Sequence, residues 1–397
     1  MYKIASPDGF IPITDYGGFG YRIRDILAAD GKSKIVYVTT EFNDPTFRYR
    51  FYNFRQSLEN SERYSLVCFE RNEIPRLLKY IGNFSAVVLQ RTALDNNVDN
   101  LIYLCKQKKI PLIFDIDDLI YNPDTVVTYV NHMRDEKKEL DLLHGWLMNS
   151  VSLYLVAKQC DCFICTTPFL ENCIKEDFGK QVHIIPNYYN REQETISEDI
   201  LTHREYDKSR FCIGYFSGSP SHQADFGICE KSLVSLLSKY DNMYLKIVGY
   251  MNLSSELEAL KQKGKVIFKP FCSYKQLQYE IGEADVNIAP LVDCVFNDCK
   301  SELKFFEAAI VKVPSVVSSV GVYKSVIKNG ENGCLCKPYE WHEALERLYH
   351  NEKLRKSIAE NAYTYARENY NYRNFAKLIE TTFYDIISGY KSGRLCK

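Results

Sequence analysis

Lys300, Lys304 and Glu307 fall at i, i+4 and i+7 within the run Cys299–Gly321, the spacing that places side chains on one helix face. Leu303, Phe306 and Ile310 take a separate, apolar face. The run predicts a loop, a helix opening at Ser301 and a buried strand after Pro314. Two ammonium groups beside a helix N-terminus suit a diphosphate, because unpaired N–H groups and the helix dipole already favour an anion there. One turn on, a carboxylate at Glu307 could accept hydrogen bonds from a sugar diol, which phosphate never donates. On spacing alone, a solvated helix face with a Lys304–Glu307 ion pair is the simpler reading.

Two further clusters could serve the same chemistry. The strand Leu112–Phe114 runs into Asp115, Asp117 and Asp118, and ligands of doubly wound sheets bind at the carboxyl ends of strands. Three acids so close repel one another unless something uses their charge, although Asp118 could simply cap a turn. Hard cations also take carboxylate oxygens, so metal binding is the competing use of this run. The second cluster is a strand followed by Ser217-Gly218-Ser219, where backbone N–H groups can approach a phosphate. His222 follows it, and a lone loop histidine is more often solvated than a ligand.

These residues need elements to hold them, and the chain supplies two sets. Six short apolar runs, Ile35–Thr39, Ser65–Phe69, Ala86–Leu89, Leu112–Phe114, Phe163–Thr166 and Val182–Ile185, alternate with helix-periodic stretches. Six more follow: Cys212–Phe216, Leu245–Val248, Val266–Phe268, Val286–Ala289, Ser315–Ser318 and Cys334–Cys336. That alternation predicts an α/β fold of two Rossmann-like, doubly wound parallel-sheet domains facing a cleft. The expected division is an extension at 1–33, a first domain at 34–190 with a helical insertion at 124–160, and a polar linker at 191–209. A second domain follows at 210–365, and a last helical segment at 366–397.

Composition narrows the function classes. Lys plus Arg total 50 against 51 acidic residues, so no global field draws the chain to nucleic acid. No basic segment followed by an apolar core suggests a signal peptide, and no apolar stretch approaches the ~18–20 residues of a membrane span. A cytoplasmic protein is therefore expected, with peripheral association at the inner face of a membrane left open. Its 14 cysteines read as reduced thiols. Cys162 and Cys165 have redox-motif spacing, but residues three apart on a strand point to opposite faces.

From Glu307 onward the chain resembles the family-4, or group 1, nucleotide-sugar glycosyltransferases, which have the two-Rossmann-domain GT-B architecture. The matching residues are Glu307-Ala308-Ala309, then Val313-Pro314-Ser315-Val316-Val317 and Gly321. The resemblance implies that Glu307 meets the donor ribose. The family's sugar-contacting glutamate falls at Cys299, a departure, while Lys304 and Glu307 match a Lys-x-x-Glu version. It also implies that Pro290 lies in the turn passing the base, as does Phe268–Phe271. Family members clamp the diphosphate after the Ser217 strand with an Arg/Lys pair; here Lys300 and Lys304 must replace it. Asp117-Asp118 takes the place of a His-Asp near the transferred sugar, and Phe47-Arg48-Tyr49-Arg50 resembles an Arg-Tyr-Arg run. The implied reading is a nucleotide-sugar glycosyltransferase needing no metal or other cofactor. Donor binding falls to Ser217, Gly218, Ser219, Pro290, Lys300, Ser301, Lys304 and Glu307, and catalysis to Asp117, Asp118 and Lys304. The acceptor is a glycan, lipid-linked or protein-glycan, in bacterial surface polysaccharide assembly, with retention favoured over inversion. A sugar-nucleotide epimerase and a silent partner of another transferase are the rivals.

Overall fold

The computed structural model describes residues 2–3, 17–42, 45–131, 139–207, 209–218 and 222–393. Its fourteen strands are β1 (Tyr2–Lys3), β2 (Ser33–Thr39), β3 (Tyr64–Glu70), β4 (Ala86–Gln90), β5 (Leu112–Asp115), β6 (Cys162–Cys165), β7 (Val182–Ile184), β8 (Glu205–Tyr206), β9 (Phe211–Ser217), β10 (Met243–Gly249), β11 (Val266–Lys269), β12 (Val286–Ala289), β13 (Ser315–Ser318) and β14 (Cys334–Cys336). Two six-stranded parallel sheets dominate, ordered β3-β2-β4-β5-β6-β7 and β11-β10-β9-β12-β13-β14. Every apolar run expected to form a strand does so. These strands are buried on both faces, which is why they read as continuous apolar runs.

In each sheet the strand order reverses beside the first strand in chain order, β2 or β9, and such a switch point leaves a crevice at the carboxyl edge. Asp115 ends β5 and Ser217 ends β9, so both clusters lie at such edges. Cys162 packs in one core cluster and Cys165 in another, as opposite faces of one strand require.

Three connections differ from expectation. Asn190–Ser209, read as a polar linker, contains the helix Arg191–His203. Asn190 accepts from the Gln193 N–H at 2.9 Å, and the Gln193 side chain accepts in return from the Asn190 N–H at 3.2 Å. Within the stretch before the first expected strand, a helix covers Phe19–Leu27, and β1 pairs antiparallel with β8. The helix expected from Ser301 begins only at Leu303 and ends at Ala309.

The C-terminal helix Ala376–Lys391 crosses back to the first sheet, where Ile379 and Phe383 join Ile35, Tyr37 and Tyr64 in one core cluster. That cluster also holds Phe305, Phe306 and Val317 of the second domain. The two sheets are thus joined by a shared apolar seam beneath the cleft.

Candidate active site

Strand β9 sets the floor of the second domain's half. Ser217 is buried and its carbonyl accepts from the Tyr250 N–H at 3.2 Å. The neighbouring β10 end comes so close that a Cβ on Gly249, at φ +111, would meet the Ser217 carbonyl oxygen at 1.8 Å; only glycine fits there. Gly218 follows in a bend with open space around it. Ser219 lies outside the described residues. His222 precedes the helix Gln223–Lys239 and shares a proton with Asp225, Nδ1 to Oδ2, at 2.8 Å. Asp225 in turn accepts from the Val292 N–H and the Asn297 amide, each at 2.8 Å. This carboxylate ties the β9 turn to the loop after β12, which carries Pro290.

The same loop delivers the lysines. Lys300 lies with its ammonium 4.5 Å from the Phe296 ring centre. The Lys304 ammonium is buried, 5.2 Å from the Tyr215 ring centre, and has no hydrogen-bond partner among the described residues. Burial lowers it to about 8; Asp225 opposes that shift and Lys300 reinforces it. His222 falls to about 4 through burial, then the Lys304 charge, against the pull of Asp225. It is therefore neutral near neutral pH. Asp225 lies at about 2, because His222 and the Val292 N–H outweigh its burial. These groups form one cationic cluster in which Asp225 is a counter-charge.

The first domain faces it with carboxylates. Arg91, directly after β4 and at φ +43, bridges Asp117 and Asp118, donating from Nε and from Nη2 respectively. Burial alone would raise the Asp118 carboxyl, but Lys300, then Arg91 and His222, hold it below the ordinary carboxylate range. Charges from both domains therefore meet beside the neutral His222: Asp117, Asp118, Arg91, Lys300, Lys304 and Asp225. Among the described residues, no three His, Cys, Asp or Glu side chains are placed to hold a metal ion.

Other expected residues sit elsewhere. Glu307 is only 4% exposed, so it is not part of a solvated face and does not pair with Lys304. Its Oε1 accepts from Tyr49 Oη, from Arg48 at 3.3 Å and from Gln193 at 3.5 Å. A ribose contact by this oxygen would require those partners to release it. Ser301, outside the helix, accepts from Asn187 at 2.9 Å. Glu302, the residue before the helix, is buried and accepts from Tyr370 Oη at 2.6 Å; burial raises its carboxyl despite that bond. These tertiary contacts hold residues 301–302 out of the helix, so a helix N-terminus does not present itself at Lys300. Cys299, at the position of the family's sugar-contacting carboxylate, is buried in the first domain's core cluster.

Of the Arg-Tyr-Arg run, Arg48 pairs with Glu307 and Arg50 with Asp115. Arg50 donates to Asp115 Oδ1 at 2.8 Å and to the Ile185 carbonyl at 2.7 Å, all inside the first domain. Sequence reasoning singled out neither Arg91 nor Asp225. Their signals are faint: an arginine at a strand's carboxyl end, and a carboxylate three residues after a histidine.

Residues 230–365, which carry the lysines, Asn297 and Pro290, match the family model described as glycosyl transferases group 1. That match is to about a third of the chain, and over those residues the chain is similar to the group 1 glycosyltransferases. Curated protein sequences give no match. Anabaena HepE, solved in complex with UDP and glucose, has 13% identity and a TM-score of 0.58, over 88% of this chain and 99% of that one. Sucrose-phosphate synthase from Thermosynechococcus elongatus has 13% identity and a TM-score of 0.62, over 90% of this chain and 100% of its own. A glycosyltransferase from Rickettsia africae gives 12% identity and 0.62, over 90% and 99%. These likenesses establish the GT-B fold around the group 1 domain. No helix among the described residues is long and apolar enough to cross a membrane.

Proposed function

We propose that the chain transfers a sugar from a nucleoside-diphosphate donor held by the group 1 domain to a glycan or lipid-linked acceptor presented by the first domain. The observation that carries this reading is the buried Lys304 ammonium, which has no acceptor of its own at a cleft edge where Lys300 adds a second cation. A buried charge left unpaired is costly, and an incoming diphosphate supplies the missing acceptor. UDP is the first donor nucleotide to test, because HepE binds it.

As the glycosidic bond breaks, the diphosphate gains negative charge, which preorganised ammonium groups stabilise without reorganising. Ser217 and Gly218 offer close backbone approach, and Pro290 shapes the turn beside it. His222 is neutral and fixed by Asp225, so it can act as a hydrogen-bonding group rather than a cation. Asp117 and Asp118, oriented by Arg91, face the donor where the transferred sugar and the acceptor hydroxyl would meet. A good general base titrates near the operating pH, and Asp118 is held below the usual range. That makes Asp118 a poor base; an inverting route would use Asp117, and retention, which the family resemblance implies, is the outcome we propose. Surface polysaccharide assembly in the bacterial cytoplasm is the setting we favour on family grounds.

The test is nucleotide release from UDP-, GDP-, ADP-, CDP- and dTDP-sugars, with and without glycan acceptors. Acceptor-dependent release of one nucleoside diphosphate supports the proposal. A changed donor sugar without release points to an epimerase, and neither release nor binding points to a silent partner.

A further inference from the structure

Cys173 and Cys299 come from different domains, yet their sulfurs lie 3.9 Å apart. Cys173 sits on the helix Pro168–Phe178 and is half-buried, whereas Cys299 is buried directly before Lys300. The start of that helix is tied to the Cys299 loop, because the Thr167 hydroxyl donates to the Cys299 carbonyl at 3.1 Å. Phe296 and Cys299 also pack within the first domain's core cluster. A disulfide needs sulfurs at ~2.05 Å and Cβ atoms ~3.5–4.5 Å apart, within reach of a side-chain rotation from van der Waals contact.

We propose that Cys173 and Cys299 are an oxidative modification site, a reversible disulfide that joins the two domains beside Lys300 when the protein meets a peroxide. The bond itself follows from geometry; its effect on turnover rests on the transferase reading above. Cys173 is the attacking sulfur, since it is the more accessible and the Cys299 thiol bonded to it lowers its pKa. Its thiolate attacks one peroxide oxygen, the O–O bond breaks, and hydroxide leaves with the thiol proton as water. The Cys299 sulfur then attacks the Cys173 sulfenic sulfur, the S–O bond breaks, and hydroxide takes the Cys299 proton as a second water. Two thiols lose two electrons and one peroxide becomes two waters. Dithiothreitol reverses the bond by thiol–disulfide exchange.

The crosslink would hold the helix Pro168–Phe178 against the Lys300 loop and keep the cleft closed. The experiment treats the full chain with hydrogen peroxide, alkylates free thiols and sequences the peptides by mass spectrometry. The expected result is a dithiothreitol-sensitive link between Cys173 and Cys299, with fragment ions excluding Cys294. Oxidised protein should release bound UDP at least tenfold more slowly than reduced protein, while Cys173→Ser treated alike shows no change. Both thiols remaining alkylatable, or Cys173 linked to Cys294, overturns the site. A crosslink that leaves UDP release unchanged overturns the closure. A crosslink in a protein that transfers no sugar sustains the site while refuting the transferase reading, so the two failures are distinguishable.

Discussion

Replacing Lys304 by methionine should stabilise the free protein and remove its hold on a diphosphate. Burial lowers the ammonium from 10.5 to about 8, a displacement worth about 3 kcal/mol against the charged folded state. Below that value both folded and unfolded chains carry the proton, and the whole penalty is present. Between about 8 and 10.5 the unfolded chain binds the proton and the folded chain does not, so the stability of the wild type rises with pH across this window. Methionine keeps the length and drops the charge, so the variant should gain about 1–3 kcal/mol near neutral pH after allowing for relaxation of the charged state. Urea unfolding of both proteins at about pH 7 and about pH 10 measures this. The stability gap should close at the higher pH as the wild type sheds its proton. Binding shows the opposite sign. Above about 8 the free lysine must take up a proton to meet the diphosphate, so wild-type affinity for UDP should fall up to tenfold per pH unit. A methionine variant less stable than wild type at neutral pH, or a gap indifferent to pH, would refute this account of Lys304.

Four other perturbations have definite outcomes. Asp115→Ala leaves the Arg50 guanidinium buried without its carboxylate, a loss of about 3–5 kcal/mol that thermal unfolding should register. Gly249→Ala drives a Cβ into the Ser217 carbonyl and should weaken nucleotide binding along with folding, read by calorimetry and circular dichroism. Glu307→Ala strands Arg48 between the domains; Arg48→Met should rescue much of its lost stability, a coupling that a double-mutant cycle measures. Asp118→Asn should lower turnover while leaving the UDP dissociation constant within about twofold, because the proposed function places it on the sugar side rather than at the diphosphate.

The two sheets were legible because parallel strands buried on both faces read as short apolar runs such as Ala86–Leu89. Where tertiary contacts decide the local structure, the sequence is less informative. The helix Arg191–His203 escaped notice because Gln193, Glu194 and Ser197 are buried polar residues, and polar burial leaves no apolar period. Its Asn190–Gln193 capping box was the available signal. Ser301 and Glu302 were read into the next helix because only distant Asn187 and Tyr370 reveal why they stay outside it. Lys300 and Lys304 were legible as site candidates from their helical spacing, and Asp117 and Asp118 from charge at a strand end. Arg91, which orients the aspartates, and Asp225, which ties His222 to the lysine loop, belong to no spaced motif and emerge only when strands from distant parts of the chain come together.

The most direct test of the central claim, that the Lys300–Lys304 pocket holds a nucleoside diphosphate, is calorimetric titration of UDP into wild type and Lys304→Met at neutral pH, with GDP, ADP, CDP and dTDP alongside. The account predicts that wild type binds one of these nucleotides and that the folded variant loses at least tenfold in affinity for it. Equal affinity in the two proteins, or no binding of any diphosphate by wild type, would contradict it.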